Sequence, residues 1–169
     1  CHWHDIRTQP TQAPEIWHTL QQYCTQKWFG IINQFSGQVI YQYNGEMLVA
    51  FNRASAKEDN AQQAIQCGWQ ILKDFELSGT IKTHKLSIAI HTGLVLLENV
   101  TLNGHHRMNM LGQPLQIVQQ IAEHAAPDAL LISDTTYSLV KEVFSGQKIS
   151  FPDNNILIPV IYQVQEDSL

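Results

Sequence analysis

Residues 37–51, GQVIYQYNGEMLVAF, constrain the fold more than any other stretch of the chain. Asn44-Gly45 suits the positive φ angles of a two-residue hairpin turn, and the residues on either side are β-branched, aromatic or aliphatic. The expectation is an antiparallel hairpin with arms Val39–Tyr43 and Met47–Phe51, broken from what precedes it at Gly37. A lone hairpin is marginal in water, so its neighbours have to cover it. Both neighbours have helical period. Before it, Thr11 to Pro14 reads as a helix start, where proline's missing N–H costs nothing. Ile16, Leu20, Cys24, Trp28 and Ile31 then recur at nearly four-residue spacing. After it, beyond the polar stretch NRASAKEDN, Ala61, Ile65, Trp69 and Leu72 form a second apolar stripe.

The remaining segments extend the same pattern. CHWHDI reads as a short strand that sends His2, His4 and Ile6 to one face and Cys1, Trp3 and Asp5 to the other. HKLSIAIHTGLVLLENV is a long β run with a bend at Gly93. TLNGHHRMN reads as a polar excursion, and a third helix begins at Pro114 and carries Leu115, Val118, Ile121 and Ala125. DALLIS reads as a buried strand, Ser133 or Asp134 as the cap of a short helix through Val140, and ILIPVIYQV as the last strand. The predicted order is βαββαββαβαβ. It implies an α+β sandwich of ferredoxin-like type, a mixed and mainly antiparallel sheet covered by helices, in one domain over residues 1–169.

Composition narrows the function classes. The chain has 169 residues, 44% of them hydrophobic, enough for one domain with a core and too few for two comfortable ones. Its net charge of −5 and its lack of any Lys/Arg run argue against a nucleic-acid partner. No apolar run is long enough to insert directly into a membrane, and no signal peptide is visible. Cys1, Cys24 and Cys67 form no CxxC pair and read as unpaired thiols of a reducing compartment. The expected location is the cytoplasm, free or as the intracellular domain of a membrane-anchored protein. The start at Cys1, directly in a strand-like segment, reads as a fragment of a longer chain.

Several segments, in this order, resemble the catalytic domain of class III adenylate and guanylate cyclases. HDI resembles the family's opening Asp-Ile strand, GQVIYQYNGEMLVAF its Gly-Asp hairpin, and LSIAIHTGLV its Gly-Ile-His-Thr-Gly strand. MLGQPLQIVQQIAEHA stands where the family has a Gly-x-x-Val-Asn-x-Ala-x-Arg helix, and ALLISDTTYSLV is similar to its Ile-Ser-x-x-Thr-Tyr segment. The closing IPVIYQV is similar to the family's final strand, so the resemblance spans nearly the whole chain.

The resemblance implies a nucleotide site between two subunits. Two Asp side chains that hold Mg²⁺ or Mn²⁺ fall on Asp5 and Glu46. The base-recognising Lys and its partner Asp fall on Gln42 and Asn109. The ribose-orienting Asn falls on Gln116, and the Arg that stabilises phosphate charge falls on Gln120. Every cation of the family's set is thus a neutral amide here. Loss of one preorganised donor costs about 2.7–4 kcal/mol in such sites. The resemblance therefore implies a degenerate member, a pseudoenzyme serving as a dimerising regulatory or ligand-binding module in cyclic nucleotide signalling. The alternative is a purine nucleotide cyclase, active alone or beside an active cyclase partner that supplies the missing Arg and Asn. A diguanylate cyclase relative fits less well, because Asn44 stands in the first position of that fold's double glycine.

By themselves the same residues have plainer readings. Asp5 and Glu46 are a strand-end acid and a turn acid, and the glutamines are surface residues. His2 with His4, and His105-His106 as a loop pair, have spacings open to zinc but no completing ligands. His91 reads as a strand residue, and Trp3, Trp17, Trp28 and Trp69 as core or interface.

Overall fold

The computed structural model describes residues 2–4, 14–43, 46–52, 57–77, 86–102, 105–150 and 160–165. Strands β1 (His2–His4), β2 (Gln38–Tyr43), β3 (Glu46–Ala50) and β4 (Ser87–Ile90) occur with helices α1 (Pro14–Gln34) and α2 (Lys57–Leu77). They are followed by β5 (Leu96–Leu102), β6 (His105–Leu111), α3 (Gln113–Glu123), β7 (Leu130–Ser133), α4 (Asp134–Val140), β8 (Gly146–Ser150) and β9 (Val160–Val164). Seven strands form one sheet in the order β2-β3-β1-β4-β7-β9-β8, while β5 and β6 form a separate two-stranded ribbon. Only β4 and β7 pair in parallel within the large sheet; its other described pairs are antiparallel.

Side-chain alternation explains the layers. Met47 and Val49 of β3, Ile88 and Ile90 of β4, and Leu130 and Ile132 of β7 face α1, α2 and α4, packing with Trp28, Ile32, Ile65, Ile71, Phe75 and Val140. The intervening Leu48, Ala89 and Leu131 face the other way and pack, with Ile161, on Ile117, Val118, Ile121 and Ala122 of α3. The central strands are covered on both faces, which is why SIAI and LLIS read as unbroken apolar runs. Gly68 lets α2 close on β7, since a Cβ there would lie 2.7 Å from Cδ1 of Leu130. A Lys27–Asp74 ion pair ties α1 to α2. Cys67 is buried and unpaired, and burial pushes its thiol up to about 12, so it is core and not a nucleophile.

The expected α+β class, the hairpin and the three long helices stand, with several local corrections. TLNGHHRMN is no polar excursion: His105 and His106 are strand residues of β6, paired with Leu102 and Thr101. The seven-residue pairing from Leu96↔Leu111 to Leu102↔His105 holds this ribbon despite its polar composition. The β run around Gly93 is two strands in two sheets, β4 and β5, separated by residues 91–95. Strand β8, GQKIS, is an additional edge strand whose weak period hides it in the sequence. Helix α2 begins inside the stretch read as polar, at Lys57, with Glu58 and Asp59 favouring its N-terminal dipole. At the end of α1 the left-handed residue is Ser36 (φ 61), one before Gly37. The Ser36 N–H bonds Asn33 O and the Gly37 N–H bonds Ile32 O, the two bonds of a Schellman ending. Trp28 is in the core and Trp69 packs against it, as expected; Trp3 and Trp17 have side chains outside the described set.

The two layers differ in what a truncation should cost. Leu131→Ala, at 2% exposure, is expected to lose about 2–5 kcal/mol in urea unfolding. Leu96→Ala on the ribbon, 64% exposed, should change stability by less than about 0.5 kcal/mol.

Candidate functional site

The C-terminal end of β4 and the start of α4 are joined by one chain of hydrogen bonds. Ser133 ends β7 and caps α4, accepting from the Thr136 N–H at 3.2 Å. Ser133 Oγ lies 3.0 Å from Thr136 Oγ1 and 2.8 Å from Nδ1 of His91, and Thr136 Oγ1 donates to Thr92 Oγ1 at 3.2 Å. Ser133 and Thr136 are fully buried. Counting protons fixes the directions. The single hydroxyl proton of Thr136 goes to Thr92, so Ser133 must donate to Thr136, and Ser133 Oγ can then only accept from His91. The imidazole therefore carries its proton on Nδ1. Its Nε2 is left as an acceptor, and a Cβ on Gly93 would lie 3.1 Å from that atom.

Burial lowers the His91 pKa from 6.5 to about 4, so the ring is neutral at pH 7. His91 is not simply a strand residue: it stands just past β4 and binds two motifs together. The sequence signals were the polar letters at the ends of two apolar runs, His91 and Thr92 after SIAI, and Ser133 and Thr136 after LLI. Periodicity gave no role to any of them.

Beside this chain lies a cleft of about 450 Å³ at the C-terminal ends of β3 and β4. Its walls include Phe51, Ala64, Met110, Leu115 and Val118, and His91, Asn52, Asn60, Thr92 and Thr135 also face it. None of its described lining residues carries a charged side chain at neutral pH. Two glycines shape its mouth. A Cβ on Gly93 would lie 2.5 Å from Cγ of Pro114, and Gly112 holds φ +143 at the cap of α3, so the 93–95 segment can lie on the helix start. A proline in the first turn of α3 completes that contact.

Of the residues proposed from the sequence, Gln42, Glu46, Gln116 and Gln120 lie elsewhere. Glu46 opens β3 at the other end of that strand, opposite Tyr43, and its charge, after burial, helps raise the Tyr41 phenol. Gln42, opposite Met47, is exposed and its amide donates to Thr25 Oγ1 of α1 at 2.5 Å. Gln116 and Gln120 share the outer side of α3, away from buried Ile117, Val118 and Ile121; Gln116 is exposed and Gln120 half-buried. The Gln120 carbonyl accepts from Nδ1 of His124 at 2.8 Å. Asn109 lies on β6 opposite Glu98, and its side chain is outside the described set, as is all of Asp5. Of the four described side chains Gln42, Glu46, Gln116 and Gln120, none lines the cleft.

The resemblance implies a divalent metal. Among the described residues no cluster of three or more His, Cys, Asp or Glu could hold one, and Glu46 is the single described carboxylate of the implied pair. A hard divalent cation takes several oxygen ligands, and Glu46 is the one the described residues offer from that pair. Among the described residues no helix is long and apolar enough to cross a membrane.

Comparison with solved structures identifies the fold. The adenylyl cyclase CyaB from P. aeruginosa superposes with a TM-score of 0.87 at 19% identity, over 99% of this chain and 94% of that one. The guanylate cyclase domain of RhGC from Catenaria anguillulae, solved in complex with GTP, gives 0.82 at 15% identity, over 97% and 93%. A dimeric guanylyl cyclase domain of the RhoGC fusion protein from Blastocladiella emersonii gives 0.79 at 15% identity, over 96% and 93%. No protein-family profile and no curated protein matches the chain. The chain has the class III nucleotide cyclase fold, an α+β sandwich with a mixed sheet.

The depressed His91 pKa gives a signed prediction. Between pH 6.5 and about 4 the unfolded chain binds a proton at this residue that the folded chain does not. The His91 contribution should therefore make stability fall as pH drops through that window and add no slope above it. Urea unfolding at stepped pH should show a shallower acid loss in His91→Asn, whose amide can still reach Ser133, than in the wild type.

Proposed function

We propose that this is a nucleotide cyclase homology domain whose catalytic function has degenerated, and which acts as a dimerising regulatory or ligand-binding module in signalling. The observation that carries the reading is an apolar patch at the root of the β5–β6 ribbon: Leu94 is 85% exposed, Leu96 64% and Leu111 50%, and Leu96 pairs with Leu111 across the ribbon. Contiguous exposed leucines on a folded domain are better explained by a partner surface than by solvent. The Blastocladiella domain with the same fold has been crystallised both as a non-canonical dimer and as a monomer, so the homodimer proposed here rests on the leucine patch. The amides at Gln42, Gln116 and Gln120 support the loss of catalysis, because none can supply the positive charge that a reacting triphosphate needs.

The second reading is a working cyclase, alone or in a heterodimer, with Asp5 and Glu46 holding Mg²⁺ or Mn²⁺ and the amides lining a purine nucleotide pocket. Glu46 favours it, as an acid placed at the hairpin tip where the resemblance requires one.

Sedimentation equilibrium and a product assay separate the two. The proposal expects a dimer that Leu96→Glu converts to monomer, and no cyclic nucleotide from ATP or GTP with Mn²⁺. Turnover that disappears in Asp5→Ala would establish the second reading. A monomeric wild type at high concentration would overturn the first.

A further inference from the structure

We propose that the cleft at the C-terminal ends of β3 and β4 binds a small uncharged molecule with an apolar body and one hydrogen-bond donor, which it gives to Nε2 of His91. This goes beyond the nucleotide reading and does not rest on it, since none of the four described candidate side chains of that reading reaches the cleft.

Three observations converge. The cleft, at about 450 Å³, falls in the range of about 300–1,000 Å³ typical of small-molecule sites. Its walls are mainly aliphatic and aromatic, with Phe51, Ala64, Leu115 and Val118 among them, and no described lining residue is charged at neutral pH. A phosphate or carboxylate entering it would give up hydration without meeting a cation among the described residues, which selects against anions. The third observation is the tautomer. Nδ1–H of His91 is engaged by Ser133, which is itself filled by the Thr136 N–H and hydroxyl. The ring is therefore fixed in place and in protonation state, with Nε2 presented as an acceptor. Among the described residues that atom has no partner. An acceptor held rigid by a buried chain of bonds, beside apolar walls, is the usual construction of a site that orients a neutral ligand by one polar contact.

The site also has an entrance. Leu94 and Val95 are both lining residues and exposed, so the mouth opens where the 93–95 segment passes over Pro114.

Indole, benzothiophene and indole-3-carboxylate test the proposal on the intact chain, by titration into ¹⁵N-labelled protein and observation of amide shifts. They share shape but differ in the donor and the charge. Indole is expected to saturate, moving the amides of Thr92, Leu115 and Val118. Benzothiophene, without the N–H, should bind about threefold to tenfold more weakly, the worth of one net hydrogen bond. Indole-3-carboxylate should not bind there. Leu115→Trp, which fills the cleft, should abolish indole binding. Thr135→Arg, at an exposed position on the rim, should weaken it if the first variant fails to fold. Absence of saturable indole shifts, shifts centred away from the cleft, equal binding of benzothiophene, or binding of the carboxylate at these amides would each overturn the proposal.

Discussion

Strands β4 and β7 lie parallel near the middle of the sheet, and both core layers are built across them. Ile88, Ile90, Leu130 and Ile132 fill one side and Ala89 and Leu131 the other. A parallel pair has no tight turn to set its register, so something else must. At the N-terminal ends the Asp128 N–H bonds Leu86 O at 2.7 Å, and the Ile88 N–H bonds Ala129 O. At the C-terminal ends the His91–Ser133–Thr136–Thr92 chain closes the pair and caps α4. A buried chain of this kind stabilises only if every member is satisfied, and here Ser133 uses both lone pairs and its proton. Stacking of Tyr137 on Tyr162, with centroids 3.8 Å apart, then carries the order from α4 to β9.

That arrangement separates two ends of the molecule. At one end stands the β2–β3 turn, with Glu46 and Gln42, where a cyclase would work on a nucleotide. At the other end are the neutral imidazole and a cleft whose described lining residues carry no charge. Nothing in the second depends on the chemistry of the first. The bonds that set the register of the central strands are made by the main chain at one end, by the His91 chain at the other and by the core between them, and none involves Glu46 or Gln42.

Much of the fold was legible because its signals are local or periodic. Asn44-Gly45 announces a hairpin, Pro14 and Pro114 announce helix starts, and SIAI and LLIS announce strands buried on both faces. The ribbon was not legible, since HHRMN has the letters of a loop and becomes a strand only through its pairing with β5. Strand β8 was missed for a related reason: Gln147 and Lys148 are ordinary for an exposed edge and carry no period. The chain of bonds around His91 was visible only as two motifs about forty residues apart, IHTG and ISDTTY. Long-range contact between them is a property of the sheet order, which no window of sequence contains. The cleft was invisible for the same reason, being assembled from strand ends, three helices and the 93–95 segment.

The protonation state of His91 is where these lines meet. Long-range ¹H–¹⁵N correlation of the imidazole at pH 7 reads it directly, since each ring nitrogen reports whether it carries hydrogen. A neutral ring with the proton on Nδ1 and a bare Nε2 is the expected spectrum. A proton on Nε2 alone would reverse the bond between His91 and Ser133 and contradict the bond directions assigned here, and a proton on Nε2 in either form of the ring would remove the acceptor presented to the cleft.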